Sequence, residues 1–425
     1  MSDVIHAITW PEDLAFASHE LRQIACQYRL TTGFLLDTLD RWAAALDCPE
    51  VRQIPGGAFL RLWLRRNTLE AVLVREFGQV SLCDQWLEDG HARRRAFPLG
   101  VVGHWPAGNI EIQPLLSVTC ALLGGNTCLA RVPNGLIAPT RLLIQKLHEV
   151  DQSGPVSQRI FMASFDHSRT DLNEAMARAV DGAMIWGGAD ALQQVRSLPF
   201  PHWTRVVTFG PRLSVAAVDA ATWTDRHARQ SWCRRIARDV WQFEQQACSS
   251  PQTLFLEQGQ IGCDASEFVE ELRRAFQEEN RIHPRSEIEP ALTSAICNVR
   301  ASWLLEDVEN RGWFPASADW TILLGKGADI PEPTQGRTLT VLVVDDLSEV
   351  ISRFDGTVQT LGLAIRDAEK EQALADVAGI HGVDRVVRIG QMHVFGSPWD
   401  GRDLVRPLVR LVRHSPSQDV RGASL

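Results

Sequence analysis

The sequence predicts an α/β protein of two lobes, each built on a mostly parallel sheet. Short apolar strands alternate with helices between residues 98 and 186, and a second alternating series begins near residue 250. Strands that alternate with helices of this length form βαβ units with right-handed crossovers. The chain starts differently, because residues 12–50 and 59–90 carry apolar side chains at helical spacing.

These patterns predict four parts along the chain. A helical N-terminal region is expected to pack on the first lobe, the two lobes follow, and a C-terminal segment returns after them. The predicted bounds are residues 1–95, 96–246, 247–395 and 396–425. Within the last part we expect a short amphipathic helix over residues 403–413 and a disordered tail of ten residues.

Composition excludes several classes of protein. The 45% hydrophobic and 22% charged residues are ordinary for a soluble globular chain. The net charge of −9 gives no sign of a nucleic-acid-binding surface. The N-terminus lacks the pattern of a secretory signal, and no apolar run approaches the ~20 residues of a membrane span. Nine cysteines form no CxxC pair and no zinc-spaced cluster, so we expect a cytoplasmic protein without a metal site or a disulfide framework.

One cysteine has a setting that favours chemistry. Cys248 follows a helical stretch predicted over residues 226–247 and precedes a Ser-Ser-Pro turn and a strand, within Trp241–Pro251 (WQFEQQACSSP). A thiol at such a junction lies at the surface rather than in a core, and a partly exposed thiolate is a good nucleophile. The alternative is that Cys248 is a small buried hydrophobe, the usual state of a free cysteine.

A second segment offers an amide donor. In His104–Val132 (HWPAGNIEIQPLLSVTCALLGGNTCLARV), a strand leads through Asn109 into an apolar helix, and a second strand ends at Arg131. An amide that follows a strand in an open α/β sheet stands where ligand crevices form and can stabilise an oxyanion. The alternative is that Asn109 caps the helix or shapes the turn.

Together, the two segments resemble the aldehyde dehydrogenase superfamily, and most closely its LuxC-type acyl-CoA reductase branch. The resemblance runs from about residue 95 to 410. Three stretches are typical of the branch: QQACSSPQ around Cys248, VDRVVRIG at 383–390 and WDG at 399–401. The fold that the resemblance implies has two Rossmann-like α/β lobes, one for the cofactor and one for catalysis.

The resemblance also implies roles for single residues. Cys248, preceded by Gln246, would be the nucleophile, and Asn109 would supply the oxyanion amide. The loop before Asn109, the basic end of GGNTCLAR and the IWGG turn would bind the nicotinamide cofactor, which assigns Pro106, Ala107, Arg131, Trp186, Gly187 and Gly188 to that site.

Two departures from the superfamily narrow the expected activity. Hydrolytic members carry a Glu before Gly-Gly-Lys that activates water, whereas this chain has Thr208 in VTFGPRLS. Without that base, an acyl-enzyme survives long enough to exchange with a thiol or to accept hydride. Glu244 is either a substitute carboxylate or a solvated helix residue.

The cofactor preference follows from the second departure. Arg131 stands where relatives have Lys, and Val132-Pro133-Asn134 replaces the acid that binds the ribose in NAD-selective relatives. A guanidinium without that carboxylate tolerates a 2′-phosphate, so NADPH is preferred, with NADH possible.

The implied function is reduction of an acyl thioester to an aldehyde through a thioacyl group on Cys248. The donor would be an acyl-CoA or an acyl carrier protein, with an acyl-transferase or synthetase as a partner and a homo-oligomer as the assembly. Two alternatives remain open: a dehydrogenase of aldehydes or semialdehydes working in the oxidative direction, and an inactive homologue that binds a partner. Three aromatic residues either line an acyl tunnel or belong to the core: Trp105, Trp241 and Phe243.

Overall fold

The computed structural model describes residues 4–27, 30–258, 264–285 and 287–415. The predicted disordered tail lies outside these residues. The α-helices of the described part are α1 (Pro11–Gln27), α2 (Thr32–Ala45), α3 (Pro49–Arg52), α4 (Gly57–Trp63), α5 (Arg66–Phe77), α6 (Gln113–Leu123), α7 (Ile137–Val150), α8 (Thr170–Arg178), α9 (Ala189–Arg196), α10 (Ala220–Thr224), α11 (Arg226–Trp241), α12 (Ala265–Ile282), α13 (Pro290–Glu306), α14 (Leu347–Ile351) and α15 (Ala368–Ile380).

The strands of the same part are β1 (His6–Ala7), β2 (Leu87–Asp89), β3 (Ala92–Pro98), β4 (Val101–Trp105), β5 (Thr127–Arg131), β6 (Ile160–Ser164), β7 (Gly182–Trp186), β8 (Arg205–Phe209), β9 (Leu213–Val218), β10 (Pro251–Glu257), β11 (Arg311–Trp313), β12 (Thr321–Lys326), β13 (Thr338–Val344), β14 (Val358–Ala364), β15 (Arg385–Arg388) and β16 (Val409–His414).

The chain divides into two compact units. The first contains residues 1–210 and 395–425, and the second contains residues 211–394. The sequence patterns predict residues 211–246 in the first lobe, but the structure places them in the second unit. The reason is pairing: β9 hydrogen-bonds on one side to β10 and on the other to β14, so it is an interior strand of the second sheet.

The first unit carries a doubly wound parallel sheet. Its strand order is β1-β6-β5-β4-β7-β8, and every neighbouring pair is parallel. The chain winds outward from β4 through β5 to β6 and then returns to place β7 on the other side of β4. A topological switch point therefore lies between β4 and β7, which confirms the predicted Rossmann-like lobe.

The N-terminal helices bury their apolar faces in the first unit. Leu14 and Leu21 of α1 join the core beneath the sheet, and Trp42 of α2 is fully buried, with its indole N–H donating to the Leu143 carbonyl at 3.0 Å. The helical texture ends earlier than predicted, because residues 87–89 form β2 and pair with β3 in a small antiparallel sheet.

The predicted amphipathic helix at 403–413 is wrong. Residues 406–408 form one turn of 3₁₀ helix, and β16 then pairs antiparallel with β3. The buried Glu76 carboxylate on α5 anchors the preceding segment by accepting the backbone N–H groups of Leu404, Val405 and Arg406 at 2.9, 2.9 and 2.6 Å. Partners more than 300 residues away decide the conformation, so local spacing misleads here.

The second unit carries a seven-stranded sheet in the order β11-β12-β13-β10-β9-β14-β15. All neighbouring pairs are parallel except β11 with β12. Helices α11 and α12 pack on one face through one hydrophobic cluster, and α14 and α15 pack on the other face through a second. Apolar cover on both faces explains why these strands read as continuous apolar runs.

Candidate active site

In the first unit, the residues predicted to bind the cofactor follow the carboxyl ends of parallel strands. Asn109 lies in the loop after β4, Arg131 ends β5, and Trp186 ends β7 before Gly187 and Gly188. The carboxyl ends of parallel strands meet at one edge of the sheet, and β4 and β7 flank the switch point. This edge is where ligands bind in open α/β sheets.

The loop that carries Asn109 is tied to the helix that follows it. The Ala107 N–H donates to the side-chain oxygen of Gln113, the first residue of α6, at 3.0 Å. Every residue of α6 is buried, and Pro106 is buried as well, whereas Asn109 is exposed. A rigid, buried support below an exposed amide is the arrangement that a preorganised hydrogen-bond donor needs.

A cavity of about 250 Å³ opens beside Arg131. Its lining consists of Gly108, Arg131, Pro133, Asn134, Phe165 and His167. The Arg131 Nε is buried and has no hydrogen-bond partner among the described residues. Burial lowers the pKa of this guanidinium, but arginine stays charged in proteins. An unpartnered buried donor on a permanent cation fits an anionic group in the cavity.

Sequence reasoning missed Phe165 and His167 in this cavity. Both follow the carboxyl end of β6, so the Asp-His-Ser stretch after that strand was the available signal. The carboxylate of Asp166, which lies between them in the chain, accepts bonds from the Ser168 N–H at 2.9 Å and hydroxyl at 2.6 Å. These bonds keep the pKa of Asp166 below its ordinary value.

The IWGG turn presents a fixed aromatic side chain. The Trp186 indole N–H donates to the Ser117 hydroxyl at 3.0 Å, and its ring stacks on Phe209 with centroids 3.8 Å apart. The Ser117 hydroxyl also lies 2.7 Å from His104 Nδ1, and burial lowers the pKa of that histidine to about 3. The neutral network holds the indole rigidly.

The Gly187-Gly188 turn leads directly into α9. A Cβ at Gly187 would stand 3.2 Å from the Ala191 Cβ, and Gly188 is the N-cap of the helix. The first backbone N–H groups of a helix lack intrahelical partners and suit the phosphates of a dinucleotide. The residues of this edge therefore fit a nicotinamide dinucleotide.

Thr208 is the penultimate residue of β8, the last strand before the chain enters the second unit. It lies in β8 opposite Ile185 of β7 and is half-buried. The side chain at this position is a hydroxyl, which cannot act as the carboxylate base of a hydrolytic enzyme at neutral pH.

In the second unit, Cys248 lies at the amino edge of the sheet, three residues before β10 begins. It is half-buried, whereas Cys120, Cys128 and Cys233 are buried. Burial raises the pKa of each of these three thiols, which keeps them protonated and unreactive. The position of Cys248 separates it from these core cysteines.

The chain before Cys248 turns left-handed. The predicted helix over residues 226–247 is corrected, because α11 ends at Trp241 and three residues then have positive φ: Phe243 at 54°, Glu244 at 53° and Gln245 at 61°. Residues with a side chain pay roughly 1–2 kcal/mol each in this region. Such strain persists where surrounding contacts fix it, and it concentrates at functional sites.

The Gln245 side chain supplies one of these contacts. Its amide N–H₂ donates to the carbonyls of Pro251 and Thr338, both at 2.8 Å, and its oxygen accepts the Thr338 N–H at 2.7 Å. The side chain is fully buried between the starts of β10 and β13. These three bonds offset the strain of the left-handed turn by joining it to two strands.

Glu244 supplies the second contact. Its carboxylate lies 2.7 Å from Arg285 and 2.5 Å from Arg337, and the side chains of both arginines are almost completely buried. The carboxylate is partly exposed, but each of its oxygens is paired with a buried cation, so Glu244 is neither a free surface residue of a helix nor placed to act as a base. Glu244 therefore holds the turn and offsets one of the two positive charges of the arginines.

Two of the aromatic residues considered for an acyl tunnel belong to the cores. Trp105 is buried in the first unit, where its indole donates to Asn173 at 3.0 Å and its ring meets Phe200 edge-on. Trp241 is buried in the second unit against Phe276. Phe243 is half-buried and packs edge-on against the ring of His393.

No group of three or more His, Cys, Asp or Glu side chains in the described part is arranged to hold a metal ion. None of the helices within the described ranges has the length and apolar character needed to cross a membrane.

The fold is that of aldehyde dehydrogenase-like enzymes. The chain is similar to a glyceraldehyde-3-phosphate dehydrogenase from Methanocaldococcus jannaschii complexed with NADP, with a TM-score of 0.71 and 12% identity over 96% of this chain and 94% of that one. It is also similar to a lactaldehyde dehydrogenase, with a TM-score of 0.69 and 13% identity over 95% and 91% of the two chains.

The chain belongs to the acyl-CoA reductase (LuxC) family, whose sequence model matches residues 44–414. Among its relatives are a long-chain acyl-protein thioester reductase of Vibrio harveyi, 24% identical over 86% of this chain and 74% of the relative, and one of Photobacterium leiognathi, 25% identical over 82% and 70%. The predicted family is confirmed, and the protein is an oxidoreductase of the acyl-thioester reductase type.

Proposed function

We propose that this protein reduces a long-chain acyl thioester to the aldehyde with NADPH, using Cys248 as a covalent nucleophile. The observation that carries the proposal is the setting of Cys248: a half-buried thiol that follows a strained left-handed turn at the amino edge of a sheet. The relatives, which are long-chain acyl-protein thioester reductases, support the long acyl chain and the thioester class.

In the proposed reaction, the Cys248 thiolate attacks the thioester carbonyl and forms a tetrahedral oxyanion. The backbone N–H of Cys248 and the side-chain amide of Asn109 are the proposed donors to this oxygen. Collapse breaks the bond to the donor thiol, which leaves as a thiolate and takes up a proton, and the acyl group remains on Cys248. Thr208 offers no carboxylate to activate water, so the acyl-enzyme persists.

The bound NADPH supplies the hydride that reduces the thioacyl carbon. The protein contributes position: Pro106 and Ala107 shape the loop of Asn109, Trp186 provides a rigid aromatic face, and Gly187 and Gly188 admit phosphates to the start of α9. Collapse of the reduced adduct then releases the aldehyde and returns the Cys248 thiolate.

The preference for NADPH over NADH rests on the cavity beside Arg131. Its guanidinium has an unpartnered buried Nε, and Asn134 and His167 line the same cavity without adding a carboxylate. A 2′-phosphate would satisfy the buried donor, whereas a ribose hydroxyl would bring no negative charge to it; the nearby Asp166 carboxylate is already engaged by Ser168.

Arg131→Gln is expected to raise the KM for NADPH about 10–100-fold, since hydrogen bonds to charged groups contribute about 1.5–3 kcal/mol. The KM for NADH should change little, because that cofactor has no 2′-phosphate. Steady-state kinetics with both cofactors measure the effect. Arg178→Gln is the matched control, because Arg178 is an exposed residue of α8 paired with Glu174. Equal losses for NADPH and NADH would contradict the assignment.

The function itself is tested by following cofactor oxidation over a panel of acyl-CoA lengths, repeated with the same acyl groups on a carrier protein. We expect aldehyde as the product and the fastest turnover with long chains. Acid as the product would indicate a hydrolytic enzyme, and thioester formation from aldehyde alone would indicate the oxidative direction. The same panel identifies the donor, which we propose to be delivered by an acyl-transferase or synthetase partner to a cytoplasmic homo-oligomer.

A further inference from the structure

Two side-chain hydrogen bonds hold the chain at Cys248 and Ser249. The Ser214 hydroxyl at the start of β9 donates to the Cys248 carbonyl at 2.6 Å. The Ser249 hydroxyl lies 3.0 Å from Nδ1 of His393. Ser214, Ser249 and His393 are all buried. The first bond holds the backbone carbonyl of Cys248, and the second holds the side chain of the next residue, so both restrain the chain at Cys248.

The hydrogen bonds of His393 define its protonation. Its Nε2 lies 2.7 Å from the main-chain carbonyl of Asp239, which can only accept, so Nε2 carries the proton. The Nδ1 nitrogen is then an acceptor, and the Ser249 hydroxyl donates to it. Burial lowers the pKa of His393 to about 4, so the neutral ring keeps this arrangement at physiological pH.

The VDRVVRIG stretch, which has no role in the proposed mechanism, positions the segment that carries His393. Gly390, the last residue of VDRVVRIG, has φ of 91°, which favours glycine, and its N–H donates to the Asp239 carboxylate at 2.5 Å. Asp239 lies on α11, so the segment before His393 is joined to the helix that leads to Cys248. The Phe243 ring of the left-handed turn also packs edge-on against His393.

We propose that His393 is a positioning residue: through Ser249 it fixes the orientation of the Cys248 backbone, and with it the N–H that donates to the oxyanion. This inference rests on the proposed role of Cys248. Both ring nitrogens of His393 are committed to Ser249 and Asp239, so the histidine acts by geometry and not by taking the thiol proton. An oxyanion donor contributes only when its direction is fixed before the reaction.

Two substitutions of His393 separate its two bonds. His393→Asn retains an acceptor near the position of Nδ1, whereas His393→Gln retains a donor near the position of Nε2. Ser249→Ala removes the hydroxyl from the other side. The test compares two rates in the full chain. One is the single-turnover rate at which a long-chain acyl-CoA acylates Cys248, and the other is the rate at which iodoacetamide alkylates Cys248. Alkylation needs a thiolate but no oxyanion donor.

Ser249→Ala and His393→Gln are expected to slow acylation about 10–100-fold, because a misplaced oxyanion donor loses most of its effect. His393→Asn should stay close to the wild-type rate, and alkylation should change little in all variants. The double variant Ser249→Ala/His393→Gln should be no slower than either single variant, because both substitutions remove the same Ser249–His393 bond.

Each other outcome contradicts the inference. Wild-type acylation rates in Ser249→Ala and His393→Gln would show that the bond has no catalytic effect, and parallel losses of acylation and alkylation would show that it acts on the thiol. Thermal unfolding checks the fold, and Ser249→Ala decides the question if the His393 variants unfold. Failure of the wild type to form an acyl-enzyme would instead overturn the proposed function of Cys248.

Discussion

Replacement of Cys248 by alanine is expected to abolish aldehyde formation. The variant lacks the sulfur to which the acyl group is transferred, and no other side chain of the turn is placed to replace it: Ser249 is bonded to His393 and Gln245 to two strands. The left-handed turn before residue 248 depends on Glu244 and Gln245, so it should persist in the variant. Loss of activity would then report chemistry and not folding.

Two measurements check this prediction. Aldehyde formation in the presence of NADPH should fall below detection, and intact-protein mass spectrometry without cofactor should show one added acyl group on the wild type and none on Cys248→Ala. Cys297→Ala is the matched control, because Cys297 is an exposed cysteine of α13 in the same unit. Near-native turnover of Cys248→Ala would remove the covalent mechanism.

Asn109→Ala is expected to lower kcat by about 10²–10³-fold, the typical cost of removing one oxyanion donor. The exposed amide stands on a loop that the Ala107–Gln113 bond and the buried helix α6 support. The substitution should therefore leave the loop in place and remove only the donor. The loss should be larger in kcat than in the KM for NADPH, because the oxyanion exists only in the transition state.

The control for this variant is Asn67→Ala, at an exposed asparagine of α5 in the same unit. An unchanged kcat in Asn109→Ala would leave Asn109 as a turn residue, which is the alternative that the sequence left open. A loss confined to the KM for NADPH would assign Asn109 to cofactor binding.

Local patterns in the sequence predicted the elements that neighbours in the chain determine. Apolar strands, helices of standard length and the turns between them gave the alternating order, and the parallel sheets followed from it. The family followed from short stretches such as QQACSSPQ and GGNTCLAR, because their residues and their order along the chain resemble those of the family. Arg131 and Trp186 could be placed at the ends of strands because each of them ends a short apolar run.

Only the tertiary structure decided the features whose hydrogen-bond partners lie far along the chain. The left-handed turn at residues 243–245 looks like helix, because the arginines and the strand start that hold it lie 41 to 93 residues away. The C-terminal strand looks like helix because β3 and Glu76 supply its hydrogen bonds. His393 could not be connected with Ser249 across 144 residues. Sequence alone thus determined the alternating order of strands and helices and the family of the protein. The long-range hydrogen bonds decided where helices stop and how the Cys248 peptide is held, because the backbone adopts whichever conformation satisfies its buried polar groups.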